Sequence, residues 1–356
     1  MPFLKPAAGK PGDGPEQRTL LDAARRGHHD AFQRLAEPYR RELQLHCYRM
    51  LGSFHDAEDL VQETLLRAWR GLGAFEPRSP GSFRGWLYRI ATNACLNALA
   101  GRGRASRVLP EELSPPADRM PQAGPATDVP WLEPFPDTAL AGIADTAPGP
   151  DSRYELREAV RLAFIAAIQH LPPRQRAALL LQDVMGWSAV ETAELLGRTV
   201  ASVNSALQRA RATLAKRFPA GRPRTRPVPA IRQRALLASY VRAWEGADLD
   251  GFAALLREDS TLSMPPWREW YRGAEAIVAF CGWTVRPGGS GAFRLVPAGA
   301  NRQPAYAFYR RGPDGPEWRA HSIQVLTLDG DAIAAMTSFV TPRLFGPFGL
   351  PDVLTG

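Results

Sequence analysis

DAEDLVQETLLRAW, residues 56–69, decides how the rest of the chain is read. Ala57, Leu60, Val61, Leu65, Ala68 and Trp69 recur at helical spacing, so a helix starting near Asp56 buries that side. Asp59, Gln62, Glu63 and Leu66 stand three or four residues apart and therefore stack on the opposite side. That face is acidic and amide-bearing with an aliphatic residue in its middle, whereas a merely solvated face mixes signs and omits the leucine. Taken alone, the stretch reads equally well as an ordinary amphipathic helix.

Thirteen residues past Trp69 comes SFRGWLYRIATNACLN, residues 82–97, an aromatic and basic helix. An acidic partner face followed by a cationic aromatic helix resembles region 2 of an extracytoplasmic-function (ECF) sigma factor, a promoter-recognition subunit of bacterial RNA polymerase. The resemblance runs in order and spacing from about Asp22 to Asn97. It implies that Asp59, Gln62, Glu63 and Leu66 dock on core polymerase, and that the loop after Trp69 and the helix after it take hold of the promoter −10 element. A protein that opens DNA must hold an unstacking strand, and aromatic faces beside cationic and amide groups supply stacking, phosphate contacts and base-edge hydrogen bonds. Phe75, Arg78, Arg84, Trp86, Tyr88, Arg89, Asn93 and Asn97 are the candidates. Trp86 reads equally well as a core residue.

Outward from this block the chain reads as several domains, since 356 residues are enough for two or three separate cores. The net charge of +8 favours a polyanionic partner and is unevenly spread. Residues 18–105 carry +5, 106–152 carry −6, 153–218 carry +5, 219–230 carry +3 and 231–356 only +1. Cys47, Cys95 and Cys281 are odd in number and far apart, and the histidines fall at no ligand spacing, so neither a disulfide framework nor a metal site is expected. No cofactor is called for. Without an apolar run long enough to span or export, the chain is expected to be cytoplasmic and to make no membrane contact.

Residues 1–17 read as a disordered tail and 18–107 as an all-α region 2. Residues 108–152, acidic and dense in proline, read as a linker unable to sustain a regular element or an apolar core. From 153 to 218 lies a second all-α domain. Ser188 with Glu191 three residues on forms a capping box, Gly197 ends that helix, and Thr199–Phe218 follows as a basic helix without an acid. Helix, glycine turn and basic helix make a helix-turn-helix, whose second helix enters the major groove. Residues 171–214 resemble region 4 of the same sigma family. That likeness points Asn204, Ser205, Gln208 and Arg209 at the −35 element, with Arg198 and Arg211 nearer the DNA backbone.

After a basic, proline-rich linker at 219–230, residues 231–345 show two helical segments and then strand-like runs, with a tail at 346–356. The pattern is an α+β cone and resembles the SnoaL-like domains fused to some sigma factors. Such cones hold an apolar pocket, here with Trp267, Trp270, Tyr271, Asn301, Tyr306, His321 and Gln324 as candidate lining. An enzyme would need an acid or base there, and His321, Asp259 and Glu269 are the nearby names.

The expected function is an alternative sigma factor that directs core polymerase to specific promoters, carries a regulatory cone and performs no catalysis. An anti-sigma factor and a small-molecule ligand of the cone are the further partners to test. Two rivals remain: a helix-turn-helix regulator acting without core polymerase, and a cyclase- or isomerase-like enzyme fused to a DNA-binding module. The first leaves the Asp59 face and the 82–97 helix unexplained.

Overall fold

The computed structural model describes residues 15–77, 82–101, 106–121, 124–141, 143, 158–217, 228–285, 293–311 and 317–355. Arg78, the tail before Pro15 and most of the 219–230 linker lie outside these. The chain divides into two compact units: Met1–Ser106 with Ala139–Pro219, and Arg107–Thr138 with Ala220–Gly356.

The first unit is all-α. Helices α1 (Pro15–Arg25), α2 (His29–Leu51), α3 (Phe54–Gly71) and α4 (Ser82–Gly101) form its first half. Gly52, at φ +71°, closes α2, and the Ser53 hydroxyl accepts the Asp56 N–H at 3.1 Å to open α3. The apolar spacing read from the sequence supplies the core, with Leu43, Cys47, Leu51, Ala57, Val61, Leu87 and Cys95 all buried. The second half holds α5 (Leu162–Gln169), α6 (Pro173–Leu179), a π turn at Leu180–Val184, α7 (Ala189–Leu196) and α8 (Val200–Arg217). The capping box forms as expected: Ser188 Oγ accepts the Glu191 N–H at 3.2 Å and Glu191 Oε2 accepts the Ser188 N–H at 2.8 Å. Gly197, at φ +61°, makes the left-handed turn between α7 and α8.

A buried charge joins the two halves. The last carbonyls of a helix have no partner within it. At the end of α2, Gln169 Nε2 donates to Arg49 O at 3.2 Å and the Arg176 guanidinium donates to Met50 O. Arg176, 2% exposed, also donates to Gln169 Oε1 at 2.6 Å and to Gln169 O at 2.6 Å. Burial lowers its pKa to about 10, which still leaves it charged.

The second unit is the α+β cone. Helices α9 (Ala230–Glu245), α10 (Leu249–Ala253) and α11 (Ala274–Val285) accompany a sheet in the order β2-β1-β6-β5-β4-β3. The strands are β1 (Leu256–Ser263), β2 (Trp270–Arg272), β3 (Phe293–Ala300), β4 (Gln303–Arg311), β5 (Trp318–Asp329) and β6 (Ala332–Phe339), with β7 (Val353–Leu354) beside β5. Neighbours run antiparallel except β1 and β6. The Asp329-Gly330 hairpin joins β5 to β6, whereas Asp314-Gly315 lies outside the described residues. Leu236, Tyr240, Phe252, Leu262, Phe280, Phe308, Leu326 and Met336 form one apolar cluster. Side chains alternate along a strand, so Ala307, Tyr309, Ile323, Val325 and Phe339 point to the other face, and they are buried as well.

Part of that second cover comes from the C-terminal turn, where Phe345 meets Tyr309 edge-on at 5.1 Å. The rest of the unit is residues 107–138, expected as spacer without an apolar core. Leu109, Leu132 and Phe135 are instead buried, and Glu133 pairs with Arg343 at 2.7 Å. The high proline content limits regular structure to a 3-10 turn at Pro110–Glu112, a one-turn helix at Asp137–Leu140 and single bridges such as Pro136 to Ala300, but it does not prevent burial: proline brings no N–H to satisfy, so an extended strap needs few partners. It finds them. Ala117 N–H donates to Trp270 O at 2.7 Å, Ala126 N–H to Pro266 O at 2.8 Å, and Phe135 exchanges two bonds with Asn301, its N–H to Oδ1 at 2.9 Å and its carbonyl from the Asn301 N–H at 2.9 Å.

Candidate nucleic-acid and polymerase interfaces

Three surfaces carry the candidate residues. On α3, Asp59 and Gln62 are exposed and Leu66 is 50% exposed, an aliphatic side chain left in water at the centre of a polar face. Glu63 is half-buried and pairs with Arg67 one turn on at 2.6 Å, which makes the face less acidic than its sequence suggests.

On α4 the candidates separate into two groups. Arg89, Asn93 and Asn97, four residues apart, form one exposed stripe. The aromatic and arginine candidates are engaged internally. Phe75 is buried and stacks on Trp86 at 4.8 Å. Tyr88 is buried, and Arg84 Nε donates to Glu42 at 3.0 Å while its guanidinium lies 4.9 Å from the Tyr88 ring. Trp187, just ahead of α7, packs on Tyr88 at 5.5 Å and covers Arg84 at 5.9 Å. In this arrangement Phe75 and Tyr88 are buried and Arg84 is paired with Glu42, so these three expected −10 contacts lie in internal packing here; an aromatic run on an amphipathic helix does not reveal which rings point inward. Behind them His46 bonds to Thr92 at 2.9 Å, and burial first, then Arg49 and Arg84, lower its pKa to about 3.

On α8, Asn204, Ser205, Gln208, Arg209 and Arg211 are all exposed, as is Arg198 in the preceding turn. Val203, Leu207 and Ala210 are buried on its other side, so the helix shows its polar face outward from the packed trihelical core. Arg211 does not project freely. Its Nε and Nη2 donate to the two Asp183 carboxylate oxygens at 3.0 and 2.6 Å.

The seven pocket candidates also divide. Tyr306 lies 5.5 Å from Tyr240 in the apolar cluster, and Gln324 Oε1 accepts the Tyr240 hydroxyl. Burial raises the Tyr240 hydroxyl well above its ordinary value, so it stays protonated. Asn301, Trp270 and Tyr271 hold the strap: Trp270 Nε1 donates to Ser114 O at 2.8 Å and the Tyr271 hydroxyl to Arg119 O at 3.0 Å. Trp267 is half-buried. His321, held to about 4 by burial and Arg310, sits against Phe293 at 5.7 Å. Asp259 is exposed and tied to Arg257 at 2.8 Å, so it is not the acid beside His321. Sequence reasoning missed Arg176, Trp187 and the strap. The one signal for the strap was Trp131, Leu132 and Phe135 within five residues, more apolar surface than a solvated spacer needs.

Residues 35–105 match the Sigma-70 region 2 family, 161–214 match Sigma-70 region 4, and 237–336 match the SnoaL-like domain. The chain is 44% identical over 324 residues to the ECF RNA polymerase sigma factor SigG of Mycobacterium tuberculosis, covering 91% of this chain and 85% of that one. The chain belongs to the ECF sigma factors. A second relative, the ECF RNA polymerase sigma factor SigE of Mycolicibacterium smegmatis, is 35% identical over 169 residues, 47% of this chain and 54% of its own. Among solved structures, Mycobacterium tuberculosis ECF sigma factor SigJ shares the fold at a TM-score of 0.55 and 22% identity, over 88% of this chain and 97% of that one. As an ECF sigma factor the chain is an alternative promoter-recognition subunit, with core RNA polymerase and promoter DNA as its partners. The matched relatives are sigma factors, not enzymes. Among the described residues no helix is long and apolar enough to cross a membrane.

Proposed function

We propose that this sigma factor docks on core polymerase through Asp59, Gln62, Glu63 and Leu66, follows the −10 strand with Arg89, Asn93 and Asn97, and reads the −35 element with Asn204, Ser205, Gln208 and Arg209. That work is cytoplasmic. The half-exposed Leu66 within a polar face supports the docking role, because its burial on a partner would remove an apolar side chain from water. Retention of the chain on core polymerase without DNA tests it against a free DNA-binding regulator.

The cone, in this reading, is a regulator without catalysis. The observation that carries it is that residues 107–138, part of the only covalent connection between regions 2 and 4, are fastened to the cone by Asn301, Trp270 and Arg343. The two readers contact separate promoter elements, so they need a free connection long enough to occupy both at once. Fastening the strap removes most of that length. Its release therefore favours the initiating form, and a ligand or protein acts on the cone only by binding the fastened or the released form better. The separation of exposed Asp259, tied to Arg257, from His321 against Phe293 supports the reading without chemistry. Turnover of candidate ketone or lactone substrates by the full chain would favour the enzyme reading.

A further inference from the structure

The Asp183–Arg211 pair ties the π turn of region 4 to its last helix. Arg211 lies on the exposed α8 stripe with Asn204 and Gln208, at steps of four and three residues. Asp183 sits on the π turn at Leu180–Val184, away from that stripe in sequence, and reaches across to grip the guanidinium with both carboxylate oxygens at 3.0 and 2.6 Å. The Arg211 side chain remains 61% exposed and the Asp183 side chain 28% exposed, so water and polyanions reach the pair. A planar guanidinium receives a carboxylate and a phosphodiester in the same two-bond fork. Asp183 thus offers Arg211 the contact that a DNA phosphate would offer.

We propose that Asp183 is an internal stand-in for a backbone phosphate, which withholds Arg211 from DNA and so lowers the sequence-independent part of region 4 affinity. The inference rests on the reading of α8 as the −35 helix. To reach DNA, Arg211 would have to exchange one anion for another and leave the released Asp183 carboxylate facing a polyanion, so in the parent it stays on Asp183. Such an exchange would yield little net affinity on any sequence. Base-edge contacts by Asn204 and Gln208 therefore carry a larger share of the total, and the ratio of promoter to random DNA binding is set by them. Asp183 is a positioning residue in this account and touches no base.

The test uses the full-length chain bound to core polymerase, with promoter and scrambled duplexes titrated across a range of salt. Asp183→Asn should strengthen binding to both duplexes by about two- to fivefold, the worth of an exposed ion pair. It should also steepen the log–log salt dependence by about 0.9, the signature of one added phosphate contact. Asp183→Glu, which keeps the carboxylate, should behave as the parent, and Asp183→Asn should add nothing once Arg211→Ala is present. An unchanged salt slope with Asp183→Asn, or weaker binding at an unaltered melting temperature, overturns the inference. Arg209→Ala run in parallel keeps the two ideas apart: if it changes neither promoter affinity nor promoter preference, the −35 assignment of α8 fails, whereas a loss of affinity or a shifted preference beside an unchanged Asp183→Asn slope defeats only the stand-in.

Discussion

Phe135 and Asn301 hold each other by two hydrogen bonds of 2.9 Å, one from the Phe135 N–H to the Asn301 side chain and one from the Asn301 N–H to the Phe135 carbonyl. Asn301 is fully buried and left-handed at φ +56°, and the next residue, Arg302, is left-handed at φ +57° and donates its N–H to Asp137 at 2.8 Å. Non-glycine residues enter this region at a cost, asparagine less than others. The β3–β4 turn is therefore shaped around the strap, and Gly299 completes the fit, since a Cβ there would lie 2.6 Å from the Asp137 carboxylate.

Phe135 is 0% exposed, so Phe135→Ala should destabilise the cone by about 3–5 kcal/mol, the usual loss for a buried phenylalanine. A fragment of residues 228–356 should melt well below the full chain's cone and regain stability when a peptide of residues 107–138 is added. Thermal melts followed by near-ultraviolet circular dichroism check both. Equal melting of the fragment with and without the peptide would show that the strap is dispensable to the fold.

Glu111 on the strap is half-buried with its Oε2 atom enclosed, and that burial pushes its carboxyl above the usual value of 4.5. The folded chain thus holds that proton to higher pH than the unfolded chain. Its contribution to stability is complete below the ordinary carboxylate range and is lost as pH rises through the raised value. Glu111→Gln, which cannot ionise, should raise the cone's melting temperature increasingly as pH climbs from about 4 to about 8. A gain that is the same at both ends of that range would place the effect elsewhere.

The elements of regions 2 and 4 are legible in the sequence because each rests on a local rule: helical apolar spacing, a capping box at Ser188, glycine stops at Gly52 and Gly197. The strands of the cone follow from alternation, though the short β2 and helix α11 carry too little pattern to stand out. What the sequence does not show is which side of α4 is covered. Arg89, Asn93 and Asn97 are exposed, yet Tyr88 and Arg84 are taken up by Glu42 and Trp187, a partner 99 residues beyond Tyr88 in the chain. Nor does composition show that a proline-rich acidic stretch is a structural strap, because the feature that matters is three apolar side chains, not the average.

Reversing the α3 face isolates polymerase docking from folding. Asp59 is exposed and Glu63 half-buried, so Asp59→Arg with Glu63→Arg leaves the buried side of α3 intact. Core polymerase affinity should fall by at least tenfold, read by co-purification or anisotropy, with helical content unchanged. Full affinity in the double variant would remove this face from the interface.

Arg209 is exposed on α8 between Gln208 and Arg211. A bidentate arginine–guanine contact discriminates by about 1–3 kcal/mol, whereas a phosphate contact weakens every sequence alike. Arg209→Ala should lower transcription and relax preference at one or two upstream positions, as read from a randomised −35 library. A uniform loss across the library would make Arg209 a backbone contact.

The most direct test of strap release is run-off transcription from one promoter by the parent and by Phe135→Ala combined with Asn301→Ala, each reconstituted with core polymerase. Protease sensitivity between residues 107 and 138 confirms that the strap has come free in the variant. Release should raise transcript yield while leaving the start site unchanged. Equal yield from parent and variant, with the strap demonstrably free, would contradict the claim that the cone governs this sigma factor through the connection it holds.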